Sequence, residues 1–318
     1  MKILVTGGAG FIGSHLAERL LGEAHEIAIM DDMNDYYSPR LKHANLNSVR
    51  AHGPVAFYHG DIRDEEFVTR AFREFQPEAV VHLAARAGVR PSLEQPVLYE
   101  QVNVGGTTLL LETARLNGVR RFVFASSSSV YGVTNRIPFQ EDDPALQPIS
   151  PYAATKIAGE KMAFTYSHLY GLKVVCLRFF TVYGPRQRPD LAIRKFIELI
   201  DAGKEVPFFG DGSMGRDYTF VSDTVDGILA ALQYDCAFDV LNLGNSSPVL
   251  LSEMVEAISG ALGKPATLRR LPVPPGDVPI TYADLEKSRR VLGYQPKVPF
   301  TEGIRRTVEW ILSQAGGA

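Results

Sequence analysis

The apolar run Lys2–Thr6 leads straight into Gly7-Gly8-Ala9-Gly10-Phe11-Ile12-Gly13, and an amphipathic stretch follows at once. Few arrangements require three glycines at that spacing between a strand and a helix. Gly7 permits a tight turn, Gly10 lets backbone approach a ligand, and Gly13 lets helix and strand pack closely. The helix start, with Phe11 and Ile12 in its first turn, presents free N–H groups and a positive dipole end, which suits a pyrophosphate. Asp31 stands 24 positions after Gly7, at the end of the second apolar run. Such an acid suits a ribose 2′-hydroxyl and would repel a 2′-phosphate, and no arginine follows it directly. The pattern predicts a bound dinucleotide, NAD rather than NADP. Asp32 reads as a solvated loop carboxylate.

The alternation of apolar runs and amphipathic stretches continues along the chain. Lys2–Thr6, Glu26–Asp31, Val55–His59, Ala79–Leu83, Arg121–Ser126 and Lys173–Arg178 read as strands. Most are apolar on both faces, as in a parallel sheet covered by helices on each side. Phe11–Leu21, Asp64–Phe75, Val97–Asn117 and Pro151–Tyr170 read as the intervening helices, with Ser150-Pro151 an N-cap and first-turn pair for the last. The expected fold class is α/β: a doubly wound parallel Rossmann sheet with a smaller α/β C-terminal substrate domain. Past residue 180, Gly184-Pro185, Pro207, Gly210-Asp211-Gly212 and Pro272–Gly276 break the pattern into short elements. Ser222–Leu232 reads as a helix returning to the sheet, and Thr301–Ser313 as a closing helix. The expected nucleotide domain is 1–180 plus a returning segment at about 220–245; the substrate domain is 181–219 and 246–318.

Composition narrows the partners. The chain has 33 Lys+Arg against 36 Asp+Glu, a net charge of −3, which gives no electrostatic footprint for nucleic acid or an anionic membrane. No apolar stretch reaches the ~18 residues of a transmembrane helix. Only Ile3, Leu4 and Val5 separate Lys2 from Thr6-Gly7, too few for a signal-peptide core. The two cysteines, Cys176 and Cys236, are 60 positions apart, and Cys176 sits in an apolar run, so neither a disulfide framework nor a zinc site is expected. The seven histidines form no ligand-spaced pair with a third ligand nearby, and no metal site is expected. These features together predict a reduced, cytoplasmic protein.

Tyr152 and Lys156 lie four apart near the start of a helix and so share one face. An ordinary tyrosine titrates near ~10, and a lysine ammonium together with a positive nicotinamide ring would lower that value towards use as a base. Upstream, the strand ending at Ser126 runs into Ser127-Ser128-Ser129-Val130-Tyr131-Gly132. Strand ends in such sheets open on the ligand crevice, which places the Ser127 hydroxyl to face Tyr152. The expected catalytic set is Ser127, Tyr152 and Lys156.

With these residues in view, the chain resembles the extended short-chain dehydrogenases/reductases of the nucleotide-sugar epimerase/dehydratase group over essentially its whole length. The matching pieces are Gly7–Gly13, Asp61-Ile62, His82–Ala85, Asn103, the Ser127/Tyr152/Lys156 set and Arg216-Asp217-Tyr218. Within the group it is most similar to UDP-glucuronate 4-epimerases, through Asn34–Tyr37, Ala87–Arg90, Ser126–Gly132, Phe179–Pro185, Arg188–Asp190, Gly244–Pro248 and Pro275–Pro279. The resemblance implies that Asp61 and Ile62 meet the adenine and that Leu83, Ala84, Ala85 and Ala87 line the pyrophosphate–nicotinamide run. It implies Arg216 on the UDP phosphates and Asp277 on the uridine ribose. It also implies a homodimer in which the helices Val97–Asn117 and Pro151–Tyr170 pack against their twins as a four-helix bundle. UDP-galactose 4-epimerases often carry an arginine three residues before that aspartate; here the position is Pro274.

Dehydratases of this group place Asp and Glu directly after the hydroxyl residue, and UDP-glucuronate decarboxylases usually keep a Glu at the second position. Here Ser128 and Ser129 stand there. The expected activity is therefore NAD-dependent 4-epimerisation of a UDP-sugar, UDP-glucuronate to UDP-galacturonate first, with UDP-glucose/UDP-galactose as the alternative substrates and decarboxylation of UDP-glucuronate or nucleotide-sugar dehydration as runners-up. A silent NAD-sensing binding protein is the reading from a different class, and the intact Tyr152 and Lys156 count against it. Oxidation of UDP-glucuronate at C4 creates a β-keto acid, so its carboxylate must be held away from decarboxylating alignment. Ser128, Ser129 and Thr181 are the expected hydroxyl donors to it, and Arg188 the expected cation.

Overall fold

The computed structural model describes residues 1–133, 136–144, 146–272 and 278–315. Chain order is β1 (Lys2–Thr6), α1 (Phe11–Gly22), β2 (Glu26–Asp31), α2 (Pro39–His52), β3 (Val55–His59), α3 (Glu65–Phe75), β4 (Ala79–His82), α4 (Val89–Glu94), α5 (Pro96–Glu100) and α6 (Thr107–Leu116). It continues with β5 (Arg121–Ser127), α7 (Pro151–Tyr170), β6 (Lys173–Phe179), β7 (Thr181–Tyr183), α8 (Ala192–Asp201), β8 (Val206–Phe209), β9 (Gly215–Phe220) and α9 (Val221–Gln233). The last elements are β10 (Phe238–Leu243), β11 (Pro248–Leu250), α10 (Leu251–Leu262), β12 (Leu268–Leu271), α11 (Glu286–Leu292) and α12 (Phe300–Ala315).

Among the described residues, seven strands form one parallel sheet in the order β10-β6-β5-β4-β1-β2-β3. This is a doubly wound α/β Rossmann sheet, and alternate residues feed two separate cores. Ile3, Val5, Ile27, Ile29, Ala79 and Val81 face the side carrying α1 and α9. Leu4, Ala28, Met30 and Val80 face the side carrying α3, α6 and α7. Burial on both faces explains the unbroken apolar runs in the sequence. The edge strands are less covered: β3 has no fully buried residue, and β10 is fully buried only over its second half.

Three strands, in the order β11-β9-β7, and the pair β12-β8 make smaller sheets. They share a third core with α8, α10 and α12, built on Phe196, Ile197, Phe220, Met254, Ile258 and Ile304. The segment carrying Ala283, Leu285 and Tyr294 packs into the α1/α9 core of the large sheet.

Helix α7 begins as its sequence specifies, with the Ser150 hydroxyl accepting from the Ala153 N–H at 3.2 Å and Pro151 in the first turn. The expected single helix Val97–Asn117 is instead α5, a π-helical turn at Gln101–Gly106, and α6. Thr107 and Thr108 hydroxyls donate to the carbonyls of Asn103 and Val104 in that widened turn. Among the described residues no helix is long and apolar enough to cross a membrane, and no group of three or more His, Cys, Asp or Glu is placed to hold a metal ion.

Candidate active site

The sheet order reverses between β1 and β4, and the crevice above the carboxyl ends of such neighbouring strands is where ligands bind in open α/β sheets. A cleft of about 380 Å³ opens there. Gly7 has φ +68°, and a Cβ on it would lie 2.8 Å from the Ala84 amide nitrogen, so the loops leaving β1 and β4 touch backbone to backbone. A Cβ on Gly13 would lie 2.3 Å from the Gly7 carbonyl oxygen. Both positions admit only glycine without movement of the loop. Gly10, Phe11 and Ile12 line the same wall, and Leu83, Ala84, Ala85 and Ala87 line the facing one.

Asp31 is buried at the end of β2, where its two oxygens accept from the Ala9 and Met33 N–H groups at 3.1 and 3.0 Å. Burial pushes its carboxyl up, against the Lys42 ammonium 3.9 Å away. Lys42, itself buried on α2, is equally 3.9 Å from Asp32 and lies over the Tyr37 ring. Asp61 and Ile62 also line the cleft. Burial raises the Asp61 carboxyl, but the hydrogen bonds and charge of Arg63 outweigh it and hold the group below its usual range. Its carboxylate is therefore already engaged within the protein.

At the far end, three consecutive β5 residues meet three α7 residues one turn apart. Ser127 lines the cleft with Tyr152 and draws its phenol down, the Ala125 carbonyl accepts from Lys156 Nζ at 2.7 Å, and Ser126 Oγ donates to Glu160 Oε1 at 2.5 Å. The Ser127 hydroxyl also accepts from the Ser129 N–H at 3.2 Å and so caps the short 3-10 turn Ser128–Tyr131. Burial lowers the Lys156 ammonium to about 8, opposed by the charge of Glu160. The geometry corrects one electrostatic expectation. Burial raises the Tyr152 phenol, and the groups that pull it down are Ser127 and Arg188, because Lys156 is directed at the strand carbonyl.

Ser128, Ser129, Thr181 and Arg188 line the same end of the cleft. Arg188 is not a free cation. Its Nε and Nη2 donate to Asp190 at 3.0 and 2.8 Å, and its guanidinium lies 5.2 Å from the Tyr36 ring centre. Arg216, on β9, is not among the residues lining the cleft; its Nη1 donates to the Gly215 carbonyl. Asp277 and Pro274 lie outside the described residues.

The residue-level reading missed Lys42, Tyr36, Arg86 and the role of Asn103. Asn103 accepts from the Arg86 N–H at 2.8 Å and donates to the Arg86 carbonyl and to Thr155 Oγ1, tying the loop after β4 to α7. Its place in the π-helical turn has no signal in helical periodicity. His82, which opens the motif His82–Ala85, is buried between the Thr6 and Thr107 hydroxyls, and burial lowers it to about 3.

The model of the GDP-mannose 4,6 dehydratase family matches residues 4–307. The UDP-glucuronate 4-epimerase of Thermodesulfobacterium geofontis (strain OPF15) is 41% identical over 308 residues, covering 96% of this chain and 95% of that protein. The structure of UDP-glucuronic acid 4-epimerase from Bacillus cereus, in complex with UDP-glucuronic acid and NAD, matches with a TM-score of 0.92 at 34% identity, over 99% of this chain and 100% of that one. The UDP-glucose 4-epimerase of Thermus thermophilus, in complex with NAD, matches with a TM-score of 0.89 at 37% identity, over all of both chains. On this full-length likeness in both sequence and structure, the chain belongs to the GDP-mannose 4,6 dehydratase family, within the nucleotide-sugar epimerase/dehydratase group of short-chain dehydrogenases/reductases.

Proposed function

We propose that this chain is an NAD-dependent UDP-sugar 4-epimerase, an isomerase, with UDP-glucuronate and UDP-galacturonate as its favoured pair. The observation that carries the reading is Ser127, Tyr152 and Lys156 lining one end of the cleft together, with serine, not carboxylate, at positions 128 and 129. Relatives that act on UDP-glucuronate and solved relatives holding NAD support it. The cleft fits that cofactor: Gly7 and Gly13 leave a cradle that a Cβ would fill, and Asp31 stands at the end of β2 for a ribose diol.

NAD, when bound, supplies the hydride acceptor that also returns the hydride to C4. Tyr152 takes the proton from the sugar O4 and gives it back, and Ser127 holds the same oxygen. Lys156 holds the nicotinamide ribose, and Ser127 and Arg188 favour the phenolate. The planar 4-keto sugar turns about its diphosphate linkage and presents its other face. Ser128, Ser129, Thr181 and Arg188 hold the carboxylate through the turn, with Arg216 and Asp277 assigned to the UDP moiety. We assign 1–180 with about 220–245 to NAD, and 181–219 with 246–318 to the UDP-sugar. The enzyme is further read as a cytoplasmic homodimer; Cys176 and Cys236 are free thiols, as a reducing compartment requires. The pairing of Arg188 with Asp190, and the likeness to UDP-glucose 4-epimerases, favour a neutral UDP-hexose instead.

Chromatography of products from a panel of UDP-sugars, without added cofactor, tests the reading. UDP-glucuronate should give UDP-galacturonate, and Tyr152→Phe should lose about 10²–10⁴ of that turnover while folding normally. Arg188→Ala should depress UDP-glucuronate turnover far more than any UDP-glucose turnover. Equal losses on both sugars would remove the carboxylate assignment, and no turnover of any UDP-sugar would remove the epimerase.

A further inference from the structure

A buried charge pair sits directly behind the proposed catalytic set. Glu160 and Arg178 are each only 3% exposed, and Arg178 donates from Nε and Nη2 to the two Glu160 oxygens at 2.9 and 2.8 Å. Glu160 Oε1 also accepts from Ser126, the neighbour of Ser127. The guanidinium lies 4.8 Å from the Tyr131 ring centre, and Tyr131 donates its hydroxyl to Asn242 on β10 at 2.7 Å. The network thus joins β5, the turn after it, α7, β6 and β10. A buried ion pair of this kind is a weak source of stability, because desolvation offsets most of its attraction. Its position gives it another use.

We propose that Glu160 is a positioning residue for the epimerase chemistry: through Ser126 and Arg178 it fixes the end of β5 against α7, and it sets a carboxylate one helical turn behind Lys156. The inference rests on the assignment of Tyr152 and Lys156 made above. Tyr152, Lys156 and Glu160 stand at i, i+4 and i+8 on α7; Lys156 holds the Ala125 carbonyl and Glu160 the Ser126 hydroxyl, beyond which β5 runs on to Ser127 in the cleft beside Tyr152. A rotation of α7 that broke one of these contacts would strain the other. Other titratable or charged groups facing this trio are His82 from β4, Cys176 and Arg178 from β6, Tyr131 from the turn, and Arg188 beside Tyr152. None of these opposes the burial that draws the Lys156 proton away; Glu160 does.

Two variants of the holoenzyme as purified separate this role from packing. Ser126→Ala removes the link and leaves the ion pair; kcat should fall about ten-fold with KM nearly unchanged, since misplacing a reacting group costs rate more than binding. Glu160→Gln keeps the shape and removes the charge, so Lys156 should lose its proton at lower pH. The basic limb of the kcat profile, and the Lys156 titration followed by NMR of isotope-labelled lysine, should both move down by about one pH unit. The Lys156 resonance is assigned with Lys156→Met and reads the charge effect without turnover. An unmoved Lys156 titration in Glu160→Gln, or wild-type kcat in Ser126→Ala, overturns the inference. If Glu160→Gln does not fold, the Ser126→Ala result decides alone. Wild-type protein that turns over no UDP-sugar would instead sink the function reading, while the lysine titration would still report on Glu160.

Discussion

At the scale of single residues, polar side chains of the cleft are held by partners within the fold, as Asp31 is by the Ala9 and Met33 N–H groups. The glycine loop, Asp31, Ser127, Tyr152 and Lys156 are spaced by secondary structure, and periodicity places them. Lys42 depends on a contact between α2 and the end of β2 that its own stretch does not announce, whereas Arg188 and Asp190 are two positions apart and only their pairing was missed. His82 illustrates a residue whose burial has a measurable consequence. Its imidazole hydrogen-bonds the Thr6 and Thr107 hydroxyls, and burial lowers it to about 3. Above the ordinary histidine value of ~6.5 both folded and unfolded chains are neutral there, so pH has no leverage. Below it the unfolded chain takes up a proton that the folded chain refuses, and stability falls as pH falls, by about 1.4 kcal/mol per unit. His15, lowered to about 4 mainly by burial, adds in the same direction. Urea unfolding between pH 6 and pH 4.5 should therefore show a slope that is shallower in His82→Gln by about 1.4 kcal/mol per unit. Parallel slopes in the two proteins would mean that His82 titrates normally.

At the scale of elements, α7 carries the chemistry, and its approach to the sheet is set by one glycine. A Cβ on Gly159 would lie 2.4 Å from Phe124 Cζ, inside the fully packed core beneath β5. Lys156 Nζ lies 5.0 Å from the same ring centre, so displacing Phe124 disturbs the lysine as well. Alanine would gain about 0.5–1 kcal/mol of helix propensity, but overpacking costs about 1–3 kcal/mol. Gly159→Ala should lower the melting temperature and cut kcat, while Gly105→Ala, with no atom within 4 Å of the new Cβ, should do neither. Equal behaviour of the two variants would show that α7 has slack. The strands of the large sheet were legible because burial on both faces leaves unbroken apolar runs, and six of them end within a residue of their expected limits. Helix α2 was not, because Lys42 and Asn45 occupy two of its four buried positions and break the apolar stripe. Strand β10 was obscured by Asp239 and by Asn242, whose polar side chain is buried and spent on the Phe139 and Asp284 carbonyls. The π-helical turn has no composition of its own, and only its Asn103 contacts give it a purpose.

At the scale of the whole molecule, the remaining question is what covers the helical side of the sheet. α6 and α7 lie together over one face, sharing Leu110, Leu111, Ala114, Ala163 and Tyr166 in the core between them and the strands. Outward, the run from α5 to α6 leaves Val97 and Leu116 each 66% exposed, and α7 leaves Phe164 49% exposed. Scattered apolar residues on a surface mean little, but a face formed by two adjacent long helices is the kind of surface that a two-fold axis closes. Gly105 lies on the solvent side of the run between them, where an added Cβ meets nothing in its own chain. An arginine there is harmless to the protomer and obstructive to a second helix pair packed close by. Light scattering at micromolar concentration should give twice the 35.0 kDa of one chain for the wild type and about one chain for Gly105→Arg. Gly105 is not among the residues lining the cleft, so the separated variant should keep its NAD and its turnover. A wild-type mass near 35.0 kDa would refute the dimer. A Gly105→Arg protein that stays dimeric would move the interface to another face of the molecule.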